Sequence, residues 1–211
     1  MKKRLCLLLA SVLGVTPSLW ATTITITDSD GKPLENAVVW LTPKETSAFA
    51  NSRHYEMGQK DRTFTPHILP VPKGASVDFP NFDDILHHVY SFSDTKPFEL
   101  KLYRDKPHAP IQFETTGVVE LGCNIHDWML GYIVVVDSPY FALTNKQGIA
   151  QLTLPAEDYQ LAVWHERFAD LNTPERLNWQ SFDSETKLTY AIKQRLVDKF
   201  ELLVDEFDDY E

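Results

Sequence analysis

The chain has 211 residues, 43% of them hydrophobic, enough to fill the core of one large domain or two small ones. Its 20 basic and 30 acidic residues leave a formal charge of −10, which makes nucleic acid and anionic membrane surfaces poor candidate partners. Nothing after the first 21 residues has the composition of a disordered tract or a membrane span.

At the N-terminus Lys2, Lys3 and Arg4 precede an apolar run over residues 5–15, and Ser18-Leu19-Trp20-Ala21 offers a small residue at a cleavage point. This pattern predicts a secretory signal over residues 1–21, too short to span a membrane, and hence export to the periplasm. Cys6 stands at the front of the apolar run rather than at its end, which argues against lipoprotein processing. Cleavage removes three basic residues and no acidic one, so the formal charge moves from −10 to −13 and Cys123 is left as the single cysteine. A lone thiol in an oxidising compartment has no internal disulfide partner and is a liability unless something occupies it.

Residues 22–27 alternate Thr and Ile as a strand does, Asp28-Ser29-Asp30-Gly31 is a turn, and residues 32–41 supply a second strand. Residues 42–59, rich in Thr, Ser, Asn and Lys, read as a connecting loop. Pro107-His108-Ala109-Pro110 marks a turn before a strand at residues 111–113, and residues 130–136 form an apolar, β-branched run typical of a buried strand. At the C-terminal end Leu188, Ile192, Leu196, Phe200, Leu203 and Phe207 recur at helical spacing, which predicts an amphipathic helix within a 171–211 extension that ends in an acidic tip.

Just ahead of the buried strand stands Gly122-Cys123-Asn124-Ile125-His126-Asp127-Trp128-Met129. A thiolate, an imidazole and a thioether within seven residues are the ligand types of a blue-copper site, which needs one further histidine from elsewhere. Alone, Cys123 would read as a buried small hydrophobe and Met129 as core packing; their joint spacing with His126 overrides both readings. Met57 has no such neighbours and reads as packing. The adjacent His87 and His88 are the candidates for the remote ligand. Strand alternation puts His88 on one face with Tyr90 and Phe92, which read as a core face. His54, His67, His108 and His165 have no partner at ligand spacing and read as surface or packed histidines, His165 near an interface of two modules.

The Cys-x2-His-x2-Met loop between two strands resembles the cupredoxin family of blue, type 1 copper proteins, in its amicyanin/plastocyanin-like, methylamine utilization-type branch. The resemblance continues upstream. Phe64-Thr65-Pro66-His67-Ile68-Leu69-Pro70-Val71-Pro72-Lys73-Gly74-Ala75-Ser76-Val77-Asp78-Phe79-Pro80-Asn81 looks like the family's F-x-P-x-x-(I/L)-x-V-x-x-G-D-x-V-x-(F/W)-x-N. Ile85-Leu86-His87-His88-Val89 falls where the family has Pro-His-Asn-Val, and a gap-free count from Gly74 puts His87 on the ligand and His88 on the Asn. That Asn normally ties the ligand loop to the strand, a role the His88 ring N–H would partly take over. The resemblance thus implies one copper ion held by His87, Cys123, His126 and Met129, with His88 the alternative to His87.

Outside this segment, Asp28 to Val39 and the pattern from Thr144 to Trp164 are similar to carboxypeptidase-regulatory-like β-sandwich modules. The expected fold is all-β. A cupredoxin-like Greek-key sandwich at 55–137 is inserted in, or fused to, a second small sandwich made of 22–50 and 138–170; a single enlarged sandwich is the alternative.

Four protein ligands leave no open position for substrate, so the expected role is outer-sphere transfer of single electrons, with His126 as the exposed edge. The family implies an amine dehydrogenase as donor and a cytochrome c as acceptor. No hydrolase motif, P-loop or His-x-His pair is present, and the chain reads as no enzyme. Two other readings stand beside this one: a periplasmic copper carrier or buffer, disfavoured by the scarcity of methionine, and a β-sandwich binding or scaffold protein.

Overall fold

The computed structural model describes residues 19–45, 53–107, 109–181 and 184–197. All the regular structure among them is β. Two strands come first, β1 (Leu19–Thr27) and β2 (Val38–Pro43). Ten follow: β3 (His54–Glu56), β4 (Gly58–Lys60), β5 (Thr63–Thr65), β6 (Ile68–Pro72), β7 (Ala75–Asp78), β8 (His87–Ser91), β9 (Phe98–Tyr103), β10 (Ile111–Phe113), β11 (Gly117–Cys123) and β12 (Leu130–Val136). The last five are β13 (Phe141–Leu143), β14 (Ile149–Pro155), β15 (Asp158–Trp164), β16 (Glu175–Gln180) and β17 (Thr186–Ala191).

The middle ten strands pair only among themselves, in the orders β6-β12-β11-β8-β9, β10-β7-β3 and β4-β5. The outer seven form β14-β1-β17 and β13-β2-β15-β16. Inward residues of the five-stranded and β10-β7-β3 sheets, among them Val77, Val89, Phe113, Leu121 and Ile133, share one core with Cys123 and Met129. Ile24, Ile26, Leu41, Leu161 and Val163 centre a second core between the outer sheets. A third cluster joins the two units through Trp40, Tyr132, Val134, Val136 and Trp164. β12 and β2 therefore bury both faces, which is why their sequences are continuous apolar runs rather than alternating ones. Each large side chain buried there contributes about 1.5–3 kcal/mol. The two prolines of β6 are tolerated because β6 is an edge strand.

β1 begins at Leu19, within the 1–21 segment expected to be a signal, and residues 1–18 lie outside the described residues. Two other sequence expectations are corrected. Residues 42–59 are not all loop, since β3 and β4 fall within them; residues 46–52 lie outside the described residues. No helix is found in the described part of the C-terminal extension. Thr186–Ala191 alternates exposure along its length and adds to the free side of β1 as parallel strand β17. Period-two alternation of Thr, Leu and Tyr won over a helical pattern that shares Leu188 with it. Phe200, Leu203, Phe207 and the acidic tip lie outside the described residues. Among the described residues no helix is long and apolar enough to cross a membrane.

Candidate metal centre

β11 buries Val119, Leu121 and Cys123 in alternation, so the strand delivers the thiol to the core at its last residue. The chain then turns through Asn124–Met129 into β12. Within this loop His126 and Met129 are buried, whereas Asn124, Ile125, Asp127 and Trp128 are exposed. The three-residue spacing read from the sequence thus turns all three side chains inward. The Met129 N–H donates to the His126 carbonyl at 2.9 Å and closes the loop's second half.

β8 runs antiparallel to β11 with Cys123 opposite Val89, and its inward face is His87, Val89 and Ser91. His87 is fully buried. Its Nδ1 lies 3.6 Å from Cys123 Sγ, and His126 Nδ1 lies 3.9 Å from the same sulfur. The donor atoms of His87, Cys123 and His126 all fall within 4.8 Å of one another. A first-row metal sits about 2.0–2.3 Å from such N and S atoms, so three in a plane around one ion stand about 3.5–4.0 Å apart. The two N···S distances fall in that range, and a thiolate with two imidazoles is a donor set that suits copper. Met129 lies in the same buried cluster as Cys123.

His88 faces the other way. Its Nε2 is 2.8 Å from Glu99 Oε1, and its ring stacks edge-on to Tyr90 at 6.4 Å. The alternation that grouped His88 with Tyr90 and Phe92 is real, but that face is the outer one: Phe92 is 84% exposed. Tyr90 turns outward because it covers Gly122 on β11, where an added Cβ would stand 2.6 Å from the ring. The loop-tying role falls to the His88 backbone, whose carbonyl accepts the Asn124 N–H at 3.1 Å, not to its imidazole.

His126 was expected to be the exposed edge, yet it is only 9% exposed. Trp128, 68% exposed, lies against it with ring centroids 5.3 Å apart and is the outermost aromatic of the loop. Met57 is core. His165 is buried, with Nε2 3.0 Å from the Glu35 carbonyl. His54 is exposed beside Asp78, and His108 lies outside the described residues.

Sequence reasoning missed Asp83. Its Oδ2 accepts from His87 Nε2 at 2.9 Å, and its two oxygens also accept the N–H groups of Asp61 and Arg62 at 2.7 and 3.0 Å. Burial opposes its ionisation, but the Arg62 N–H, His87 and the Asp61 N–H together hold the carboxyl below its ordinary value. A carboxylate four residues before a candidate histidine ligand was the available signal. Tyr103, whose hydroxyl is held by Gln59 and the Phe79 carbonyl, is pushed up by burial and stays neutral.

No family model matches this chain, and no curated protein matches it either. Among solved structures it is similar to a copper-containing nitrite reductase (NirK) from Thermus scotoductus SA-01, at 23% identity over 45% of this chain, with TM-score 0.38. This chain spans 25% of that protein's length. A purple cupredoxin from Nitrosopumilus maritimus is 22% identical over 39% of this chain and 98% of its own, with TM-score 0.34. A reduced amicyanin variant is 19% identical over 46% of this chain and 99% of its own, with TM-score 0.35.

Proposed function

We propose that this protein is a cupredoxin-type electron carrier with one type 1 copper ion held by His87, Cys123, His126 and Met129. The observation that carries the reading is the buried triangle of His87, Cys123 and His126, with the two Nδ1 atoms 3.6 and 3.9 Å from Sγ and the donor atoms of all three within 4.8 Å of one another. A copper ion held there supplies a one-electron couple. The chain supplies the rest: two strands and a short closed loop fix the donors, the surrounding core of Val89, Leu121 and Ile133 excludes water, and Asp83 holds the His87 ring. Donors that do not move let an electron pass with little rearrangement.

In this reading residues 55–137 are the copper unit, and 22–50 with 138–170 are a regulatory-like sandwich around it. The protein is exported to the periplasm, performs no catalysis of its own, takes electrons from an amine dehydrogenase and passes them to a cytochrome c. The burial of all four candidate ligands favours a carrier of electrons over a carrier of copper, which needs an accessible, exchange-prone site.

Adding Cu(II) to the purified apo-protein tests the reading. An intense thiolate-to-copper absorption band in the visible is expected, absent in Cys123→Ala. A colourless protein, or copper uptake indifferent to that substitution, overturns it.

A further inference from the structure

The two units meet at a polar joint as well as along their apolar seam, and the joint lies beside the metal loop. His67 leads into β6. Its Nδ1 is 3.1 Å from the Leu130 carbonyl and its Nε2 is 2.8 Å from Glu166 Oε2. Its own carbonyl accepts the Tyr132 N–H at 2.9 Å, and its ring meets the Tyr132 ring edge-on at 5.7 Å. One residue therefore grips the start of β12 at three points. Leu130 follows Met129 directly and lies opposite Gly122, the neighbour of Cys123, in the β11–β12 register. A displacement of the Leu130 carbonyl reaches both ends of the loop that carries Cys123, His126 and Met129.

The far end of the joint is equally fixed. Glu166 follows Trp164 and His165 at the end of β15. Trp164 packs on Tyr132 at 5.4 Å and donates its Nε1–H to the Leu171 carbonyl at 2.8 Å. His165 Nδ1 accepts the Arg167 N–H at 3.1 Å, which leaves Nε2–H to donate to the Glu35 carbonyl. An exposed ion pair by itself contributes little. This one differs because the other ring nitrogen of His67 meets the carbonyl of Leu130, the first residue of β12 and the one that follows Met129. Both partners are acceptors, so the ring donates to both when each nitrogen carries a proton.

We propose that Glu166 and His67 are positioning residues through which the second sandwich unit holds the metal loop in place. The outer unit is then a support that sets the environment of Cys123 and Met129, not a separate appended module. The consequence for the copper spectrum rests on the function proposed above; the consequence for the loop does not.

The test uses the full chain with Glu166→Ala and His67→Phe, the latter keeping a ring against Tyr132. In the apo-protein, amide hydrogen exchange at Met129 and Tyr132 is expected to rise about fivefold in either variant, as for loss of one hydrogen bond, while Ile24 in β1 is unchanged. In the copper-loaded protein the absorption band and reduction potential should shift in Glu166→Ala and return in Glu166→Gln, which keeps an acceptor oxygen towards His67. Unchanged exchange at Met129 and Tyr132 in both variants overturns the proposal. So does faster exchange with an unmoved band and potential. A wild type that takes up no copper, with exchange still responding, removes the copper reading and leaves the positioning role standing.

Discussion

Asp83 Oδ2 lies 2.9 Å from His87 Nε2, and this contact decides which nitrogen of the ring faces Cys123. A carboxylate accepts, so Nε2 carries the proton and Nδ1 presents its lone pair to the sulfur side. Asp83 is itself held by the N–H groups of Asp61 and Arg62, two residues in the left-handed region at φ 54° and 58°. Asn81 continues the brace, accepting the Asp83 N–H at 2.9 Å and donating to the Ile85 carbonyl at 2.7 Å. Removing a partner of this kind typically lowers metal affinity about 10–100-fold. Asp83→Ala should therefore bind copper that much more weakly in a chelator competition, with the fold intact by circular dichroism. Unchanged affinity would mean that the ring is held by packing alone.

The two adjacent histidines separate cleanly by environment. His87 is buried against Cys123, whereas His88 pairs with Glu99 on the outer face. His87→Ala should abolish the visible band or restore it only with added imidazole. His88→Ala should keep the band and its wavelength. Absorption spectra of the two copper-loaded variants, side by side, check this, and the reverse outcome would require a strand shifted by one residue.

Some strands and the candidate loop were legible because their signals are local. Residues 111–113 and 130–136 coincide with β10 and β12, and Cys123, His126 and Met129, three residues apart in turn, are all buried. Two judgements failed: the helical reading of the stretch where β17 stands, and which face of β8 is inside. Tyr90 and Phe92 are large and apolar, yet the core side of β8 belongs to His87, Val89 and Ser91. The reason is Gly122 on the next strand, which makes room for Tyr90 outside and cannot be seen from β8 itself. Asp83 and Glu166 meet their histidine partners across 4 and 99 residues: the first pairing left a signal in its spacing, and the second exists only because the fold brings the two together. Gly148 shows the opposite. Its φ of +70° and an added Cβ at 2.3 Å from the Ile26 carbonyl demand glycine, and the Asn-Lys-Gln-Gly turn announces it.

The C-terminal strand gives a prediction in alkaline solution. Tyr190 on β17 donates to Glu175 Oε2 at 2.7 Å, and burial first, then this bond to a carboxylate, pushes its pKa up to about 12. A phenol whose folded pKa exceeds the unfolded value of 10.0 adds stability below pH 10 and loses it as pH climbs towards 12. Tyr103, Tyr132 and Tyr159 are raised in the same direction, chiefly by burial. Urea midpoints should therefore fall between pH 10 and 12, and fall less steeply in Tyr190→Phe. Equal slopes would show that β17 is not held through this tyrosine.

Met129 separates an electron carrier from a copper carrier. Its side chain is buried in the core that holds Cys123, so the sulfur is not offered to an incoming chelator. In a blue-copper site the axial thioether is weak and long, and its identity tunes the potential more than it holds the ion. Met129→Gln should keep the copper and the visible band while shifting the reduction potential. A protein that moves copper would instead rely on the thioether for Cu(I), and the substitution would mainly weaken Cu(I) retention. Cyclic voltammetry and competition against a Cu(I) chelator, on wild type and Met129→Gln, tell the two apart. Reversible one-electron waves at different potentials with nearly equal copper retention fit electron transfer. Rapid loss of Cu(I) from the wild type, with no reversible wave, would leave copper carriage as the better account of the same four side chains.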